Sequence, residues 1–365
     1  MPLYNSVCSE CMCRVPCSTP TAPSESCPHC LVVSRCPAWL SLESVGILAH
    51  GCLRSPSWIH EIVLHTQQAH AFSPVYLQGD VRLTTLRTVY KGAYGHIERA
   101  RYETAEGTTE VYVKRPIHPG FSLIHEACVE IVVRNFLMQM GIENGASRVV
   151  RIFRLRDGSI CFAMEIIKRA ITFTEYLSSP IRCRADVFSQ VMMDCLFQLC
   201  HMVWHLENRL GLNHRDLTPG NFLIVEHPPQ QKRITIGEES FEITSTHSLT
   251  LIDFGFACIG SVETQETQLA FTEMYHELDA CPKEGRDLFL FLGLVYATYY
   301  QRMPPTMRSL FEGWIHDDKL CTLLRKDAEH APRCLYFMIS DAGPRRFHST
   351  SEQVLEDMQR MAKGG

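Results

Sequence analysis

The run Gly211-Leu-Asn-His-Arg-Asp-Leu-Thr-Pro-Gly-Asn-Phe-Leu223 constrains this chain more than any other stretch. Asp216 is followed five positions later by Asn221, and further on comes Leu251-Ile252-Asp253-Phe254-Gly255. Each acid sits beside an apolar, strand-like run. Asp216 can accept or orient the proton of an attacking hydroxyl. Asn221 and Asp253 offer the hard oxygens that Mg²⁺ prefers. Either short motif alone is weak. Both together, in this order, are not two unrelated loop acids.

Composition narrows the setting. The chain has 365 residues, 45% hydrophobic and 21% charged, with a net charge of −5. That is an ordinary globular balance, long enough for one large or two modest domains. No strongly basic field points to nucleic acid as the main partner. No stretch reaches the roughly 18–20 uninterrupted apolar residues of a membrane span. The N-terminus lacks a basic segment followed by an apolar one, so no secretory signal is expected and the protein is placed inside the cell, in cytoplasm or nucleus, with its thiols reduced.

Eight of the 17 cysteines fall in the first 52 residues. Cys8-x-x-Cys11 and, 15 residues on, Cys27-x-x-Cys30 have the spacing of two zinc knuckles. Each pair presents two thiolates from one turn, and two turns close a tetrahedral S₄ site. Residues 1–55 are therefore expected to be a small zinc-ribbon-like segment, with structural Zn²⁺ supplying folding energy that so short a piece cannot find in a core. Its partner is not readable. The alternative is a cysteine-rich tail without metal, or a disulfide-linked one. Residues 56–83 read as a linker or helical extension.

The loop His214-Arg215-Asp216-Leu217 with Asn221, followed by Asp253-Phe254-Gly255, resembles the catalytic and metal-binding loops of the eukaryotic-type protein kinase superfamily, over residues 84–365. The resemblance implies an α+β, bilobal protein-kinase-like fold. A small antiparallel β lobe with helix C would span 84–167 and a larger, mainly helical lobe 168–365. It also implies ATP and Mg²⁺ as cofactors. Asp216 would then be the catalytic aspartate that accepts the hydroxyl proton, and Asn221 and Asp253 the Mg²⁺ ligands.

Other stretches resemble further parts of that family. Gly92 and Gly95 take the second and third glycine positions of the glycine-rich loop, with Tyr94 and Ile97 at the aromatic and β-branched positions, although Tyr90 replaces the first glycine. Val111-Tyr-Val-Lys114 resembles the strand that ends in the phosphate-pairing lysine, with Tyr112 replacing the small residue that borders adenine. The helix expected over 122–140 carries Glu126 and Glu130 one turn apart on one face. Either can pair with Lys114, and Glu130 is favoured because the apolar Ile131, Phe136 and Leu137 follow it. Strands are expected over 149–156 and 159–167. The second resembles the entry to the kinase hinge, with Met164 as gatekeeper and Glu165 to Ile167 offering backbone groups to adenine.

A long amphipathic helix is expected over 185–210, and a β-hairpin over 233–244 as an insertion. That insertion, and a D-L-T-P-x-N loop with Thr218 where Ser/Thr kinases carry Lys, are loosely similar to haspin-like and large-DNA-virus kinases. Asp287 would cap the buried helix that follows Gly285 and hold the catalytic-loop backbone. Arg215 can pair with a phosphorylated residue of the segment holding Thr264, Thr267, Thr272 and Tyr275, but that segment lacks the A-P-E motif.

These residues imply an ATP- and Mg²⁺-dependent kinase acting on Ser/Thr hydroxyls of protein substrates. Two alternatives stand beside it. One is a pseudokinase or zinc-anchored scaffold, motivated by Tyr90, Tyr112, Thr218 and the missing A-P-E. The other is a small-molecule kinase, a class that shares the H-x-D-x-x-x-x-N loop.

Overall fold

The computed structural model describes residues 75–78, 81–92, 95–118, 123–154, 159–184, 187–265, 267–270, 279–340, 343–344 and 346–364. Cys8, Cys11, Cys27 and Cys30 lie outside the described residues. The chain divides into two compact units, one ending at Phe136 and resuming over Ser147–Ile167, the other formed by Leu137–Ala146 and Lys168–Gly365.

The first unit is an antiparallel sheet of six strands: β1 (Val75–Gln78), β2 (Val81–Lys91), β3 (Gly95–Thr104), β4 (Gly107–Pro116), β5 (Val149–Arg154) and β6 (Ile160–Glu165), in the order β1-β2-β3-β4-β6-β5. Alternation of apolar and polar residues buries one face. Leu83, Ala100, Val111, Val113, Cys161 and Ala163 form its core, with Tyr102 and Val150 packed against them. Helix α1 (Ile124–Gln139) begins in this unit and buries Ala127, Cys128, Val129 and Val132. Residues 75–83, expected to be linker, instead pair into the sheet as β1 and the start of β2. Four residues at an edge are too short to show a period, and only the pairing partner reveals the strand.

The second unit contains β7 (Ile171–Thr172), α2 (Phe173–Ser178), α3 (Phe188–His205), β8 (Leu212–Asn213), β9 (Phe222–Ile236), β10 (Glu239–Leu251), β11 (Cys258–Gly260), β12 (Thr267–Ala270), α4 (Arg286–Tyr299), α5 (Pro305–Ile315), α6 (Asp318–Lys326), α7 (Ala331–Ile339) and α8 (Ser351–Gly364). Two small sheets run β10-β9-β7 and β12-β11-β8. Helix α4 is apolar nearly all round and buried nearly all round, as such a helix must be. The end of α3 widens into a π turn over Leu206–Leu210 and stops at Gly211, φ +70°. A Cβ there would lie 2.1 Å from the Gly260 carbonyl oxygen, so only glycine lets the chain turn into the loop that follows.

The inserted hairpin is longer than the expected 233–244: β9 and β10 pair from Phe222 opposite Leu251 to Ile236 opposite Glu239. Pro228 and Pro229 hide it in the sequence. They fall where the register shifts, between the pairs Glu226–His247 and Gln230–Ser245, so no ladder hydrogen bond is asked of them. A buried chain of hydrogen bonds anchors the hairpin to the helices. The Asp194 carboxylate meets His247 Nδ1 at 3.0 Å, and His247 Nε2 meets the Tyr176 hydroxyl at 3.0 Å.

On α3, His201 and His205 face each other with their Nε2 atoms 3.2 Å apart, beneath the backbone N–H of Thr235, which donates to His201. Burial lowers both rings to a pKa of about 4, with His205 adding to the effect on His201 and Arg209 to that on His205. Their ordinary value is 6.5, so between the two values the unfolded chain binds more protons than the folded one. The stability held by the neutral pair is therefore complete above the ordinary value and is lost as pH falls through that window. The urea midpoint of the second unit's transition should drop across it, and the His201→Gln/His205→Gln double variant should flatten the drop. An equal drop in the double variant would remove these rings from the proton balance.

Candidate functional site

Within the first unit, Gly92 N–H donates to the Gly95 carbonyl at 2.8 Å and closes the turn between β2 and β3. A Cβ on Gly95 would meet the Arg115 carbonyl oxygen at 2.8 Å and the Lys114 side chain at 3.7 Å. Glycine is thus required where β3 passes the lysine. Ile97 lies opposite both Tyr90 and Lys114 across the ladders. Lys114, near the end of β4, points its ammonium at the Glu126 carboxylate, 2.5 Å away, with both side chains largely buried.

The partner is therefore Glu126 and not the favoured Glu130. Glu126 stands in the first turn of α1, where a carboxylate also complements the helix dipole. Glu130, one turn deeper, is 1% exposed. The apolar residues that favoured it report which face of α1 is buried, not how far a strand-end lysine reaches. Met164 ends the buried part of β6, with Tyr112 opposite it on β4. The Glu165 N–H is taken by the Arg148 carbonyl at 2.9 Å, so that donor cannot serve a ligand. Ile166 and Ile167 follow beyond the strand, half-buried.

Within the second unit the loop after β8 is held from below. Asp287, on α4, accepts the backbone N–H of His214 at 2.7 Å and of Arg215 at 2.8 Å. It lies in the first turn of α4 without capping it. Gly285 is the cap residue, and its N–H donates to Glu207 at 3.1 Å. Asn213 donates to Glu207 at 3.0 Å. Burial, reinforced by the Asp287 charge, pushes the Glu207 carboxyl well above the ordinary range. The clamp thus joins Asp287, expected to hold the loop backbone, with Glu207 and Asn213, two buried polar residues with no motif to announce them.

The Asn221 amide donates to the Asp216 backbone carbonyl at 2.7 Å and to its carboxylate Oδ2 at 2.8 Å. With the NH₂ group committed to Asp216, the amide oxygen is the atom Asn221 can offer a cation. Asp253 has a left-handed backbone, φ +66°, a conformation sparsely populated by residues other than glycine and found at sites where geometry matters more than comfort. The next ring, Phe254, packs against His214, whose Nε2 meets the Ile252 carbonyl at 3.0 Å. Asp216 titrates above the ordinary carboxylate range. Burial is the main cause and the Asp253 charge adds to it, against hydrogen bonds from Tyr336 and Asn221 and the His214 charge.

Tyr336 gave no signal in sequence. Its hydroxyl donates to Asp216 Oδ1, from 120 residues away.

Arg215 is engaged differently from expectation. Its guanidinium pairs with Asp279 at 2.8 Å, both side chains fully buried, and Asp279 also holds Lys283 at 2.9 Å and Arg286 at 2.8 Å. A resident carboxylate thus pairs with the guanidinium that could have served a phosphorylated residue. Thr272 and Tyr275 lie outside the described residues. Nearby, a disulfide joins Cys258 to Cys281, where reduced thiols were expected.

The donor set suits Mg²⁺. That ion is usually bound through one or two carboxylates plus substrate phosphates, not in an all-protein cage, and among the described residues no group of three or more His, Cys, Asp or Glu could hold a metal alone. No helix among them is long and apolar enough to cross a membrane.

No family model and no curated protein matches the chain. Among solved structures it is similar to the crystal structure of the BubR1 kinase domain, with 16% identity and a TM-score of 0.45, over 86% of this chain and 97% of that one.

Proposed function

We propose that the chain is an ATP- and Mg²⁺-dependent protein kinase acting on Ser/Thr hydroxyls. The observation that carries this reading is the oxygen constellation of the second unit, in which Asn221 is tied to Asp216 and the charge of Asp253 is felt at Asp216. Bound Mg²⁺ and ATP would supply the γ-phosphoryl group and the positive charge that offsets its oxygens. Asp253 and the Asn221 amide oxygen are the residues to hold the cation. Lys114, kept in place by Glu126, is the point charge for the phosphates. Asp216 takes the proton of the acceptor hydroxyl. Thr218, whose N–H donates to the Asp216 carbonyl at 2.8 Å, brings no charge to this loop, so positioning by the other groups carries the rate.

The test is transfer of label from γ-labelled ATP, with Mg²⁺, to a panel of proteins. Label on Ser or Thr supports the reading. ATP binding without transfer favours the second reading, a nucleotide-binding scaffold. Tyr90 supports that second reading, because its ring lies where a Cβ on Gly92 would meet it at 2.9 Å.

Glu126→Gln should weaken ATP binding about tenfold, or about 1.4 kcal/mol, in a nucleotide titration, because Lys114 loses its partner. Glu130→Gln should leave that affinity unchanged; the reverse pattern would restore Glu130 as the functional acid. For the N-terminal segment the proposal is one zinc held by Cys8, Cys11, Cys27 and Cys30. Purified full-length protein should then carry about one zinc per chain, released by chelator. A folded, metal-free segment would refute it.

A further inference from the structure

We infer that Tyr336 is a phosphorylation site that the chain modifies on itself, with the Tyr336 hydroxyl as an intramolecular phosphoryl acceptor. The inference rests on the kinase reading above and adds, to Ser/Thr hydroxyls of other proteins, one tyrosine hydroxyl that the fold itself holds at the base. An acceptor must bring a hydroxyl within hydrogen-bond reach of the base that takes its proton. The Tyr336 hydroxyl makes that contact, donating to Asp216 Oδ1. Asp216 Oδ2 is meanwhile engaged by the Asn221 amide at 2.8 Å. Base and hydroxyl both belong to the second unit, so the contact is internal to one compact body. The side chain is half-buried on α7, and the adjacent Phe337 is 69% exposed.

The step balances with ATP as co-reactant. Tyr336 Oη forms a bond to the γ-phosphorus, and its proton passes to Asp216 Oδ1. The bond from that phosphorus to the β,γ-bridging oxygen breaks, and ADP leaves with the electron pair. The product is an aryl phosphate on Tyr336. It has lost the phenolic O–H and carries about −1.5 to −2 charge at neutral pH. Beside the carboxylates of Asp216 and Asp253 that charge is repelled, so the modification ends the contact that allowed it. Each chain takes one phosphate here and then presents an uncovered base to other hydroxyls.

The experiment uses phosphatase-treated, full-length protein incubated with MgATP and casein. Phosphosites are mapped by mass spectrometry at several protein concentrations. One phosphate should appear on Tyr336 at a rate per chain independent of protein concentration, and Asp216→Asn should lose it. Before any nucleotide is added, ultraviolet titration of wild type minus Tyr336→Phe should show this phenol ionising above the ordinary tyrosine value of about 10, and returning to it in Asp216→Ala. Several outcomes would overturn the inference alone. These are label on casein with Tyr336 unmodified, a rate that rises with protein concentration, or a phenol that titrates at the free value. No label on any residue of either protein would remove the kinase reading, and this inference with it.

Discussion

Asp279→Ala should cost the second unit about 3–5 kcal/mol, the range for removing one partner from a buried ion pair. Arg215, Lys283 and Arg286 share the Asp279 carboxylate, at 2.8, 2.9 and 2.8 Å. Arg215, Arg286 and Asp279 have fully buried side chains, and that of Lys283 is 2% exposed. Taking the anion away removes a charge that offsets three buried cations, each already desolvated. Against a typical domain stability of about 5–15 kcal/mol, such a loss brings the unit near its threshold. Asp279→Asn keeps the volume and some hydrogen bonding but not the charge, and should recover only a minor part. Urea unfolding of the full chain measures both. A wild-type midpoint for Asp279→Ala would mean that the cations are carried by other partners and that the carboxylate is incidental.

Asp216→Asn should lower phosphoryl transfer by about 10²–10⁴-fold, the usual contribution of a positioned acid or base, equivalent to about 3–5 kcal/mol of barrier. The larger end is expected because two features go at once. The amide is no base. In addition, an NH₂ placed at the Oδ2 position would face the donating NH₂ of Asn221, now 2.8 Å from that oxygen, and two donors cannot share the contact. The new amide can keep its oxygen toward Asn221 only by turning its NH₂ to the Tyr336 hydroxyl, so the hydrogen bonds around the loop rearrange either way. The fold should survive, because the Asp287 clamp on His214 and Arg215 acts through backbone N–H groups that the substitution leaves alone. Initial rates with labelled ATP, read beside a urea midpoint, separate the effects. Wild-type turnover in this variant would remove Asp216 from the chemistry.

The polar constellation was legible because its chemistry is local. Asp216 and Asn221 lie on one loop, five residues apart, and Asp253 begins a motif of its own. The strands were legible in outline from their alternation, and the tightly apolar α4 from its composition. What failed did so for identifiable reasons. Glu126 and Glu130 share a face of α1, so no periodicity separates them. The distance from the end of β4 to the first turn of α1 does, and that distance is a product of packing. The hairpin was read short because two prolines look like a break unless the bulge that accommodates them is seen. The Arg215 partner was missed because nothing in sequence brings Asp279 to it from 64 positions away.

By itself, then, the sequence determined the donor groups: a carboxylate, an amide and a second carboxylate in fixed order, a lysine at a strand end, glycines where the backbone must pass closely. These are properties of residue type and short spacing, and they are written into the covalent chain. Only the tertiary structure decided which groups meet. It chose Glu126 for Lys114, Asp279 for Arg215, and Tyr336 for Asp216. Each of these pairs joins segments distant in sequence, and their meeting depends on how buried surfaces pack, a quantity that no local pattern of residues carries.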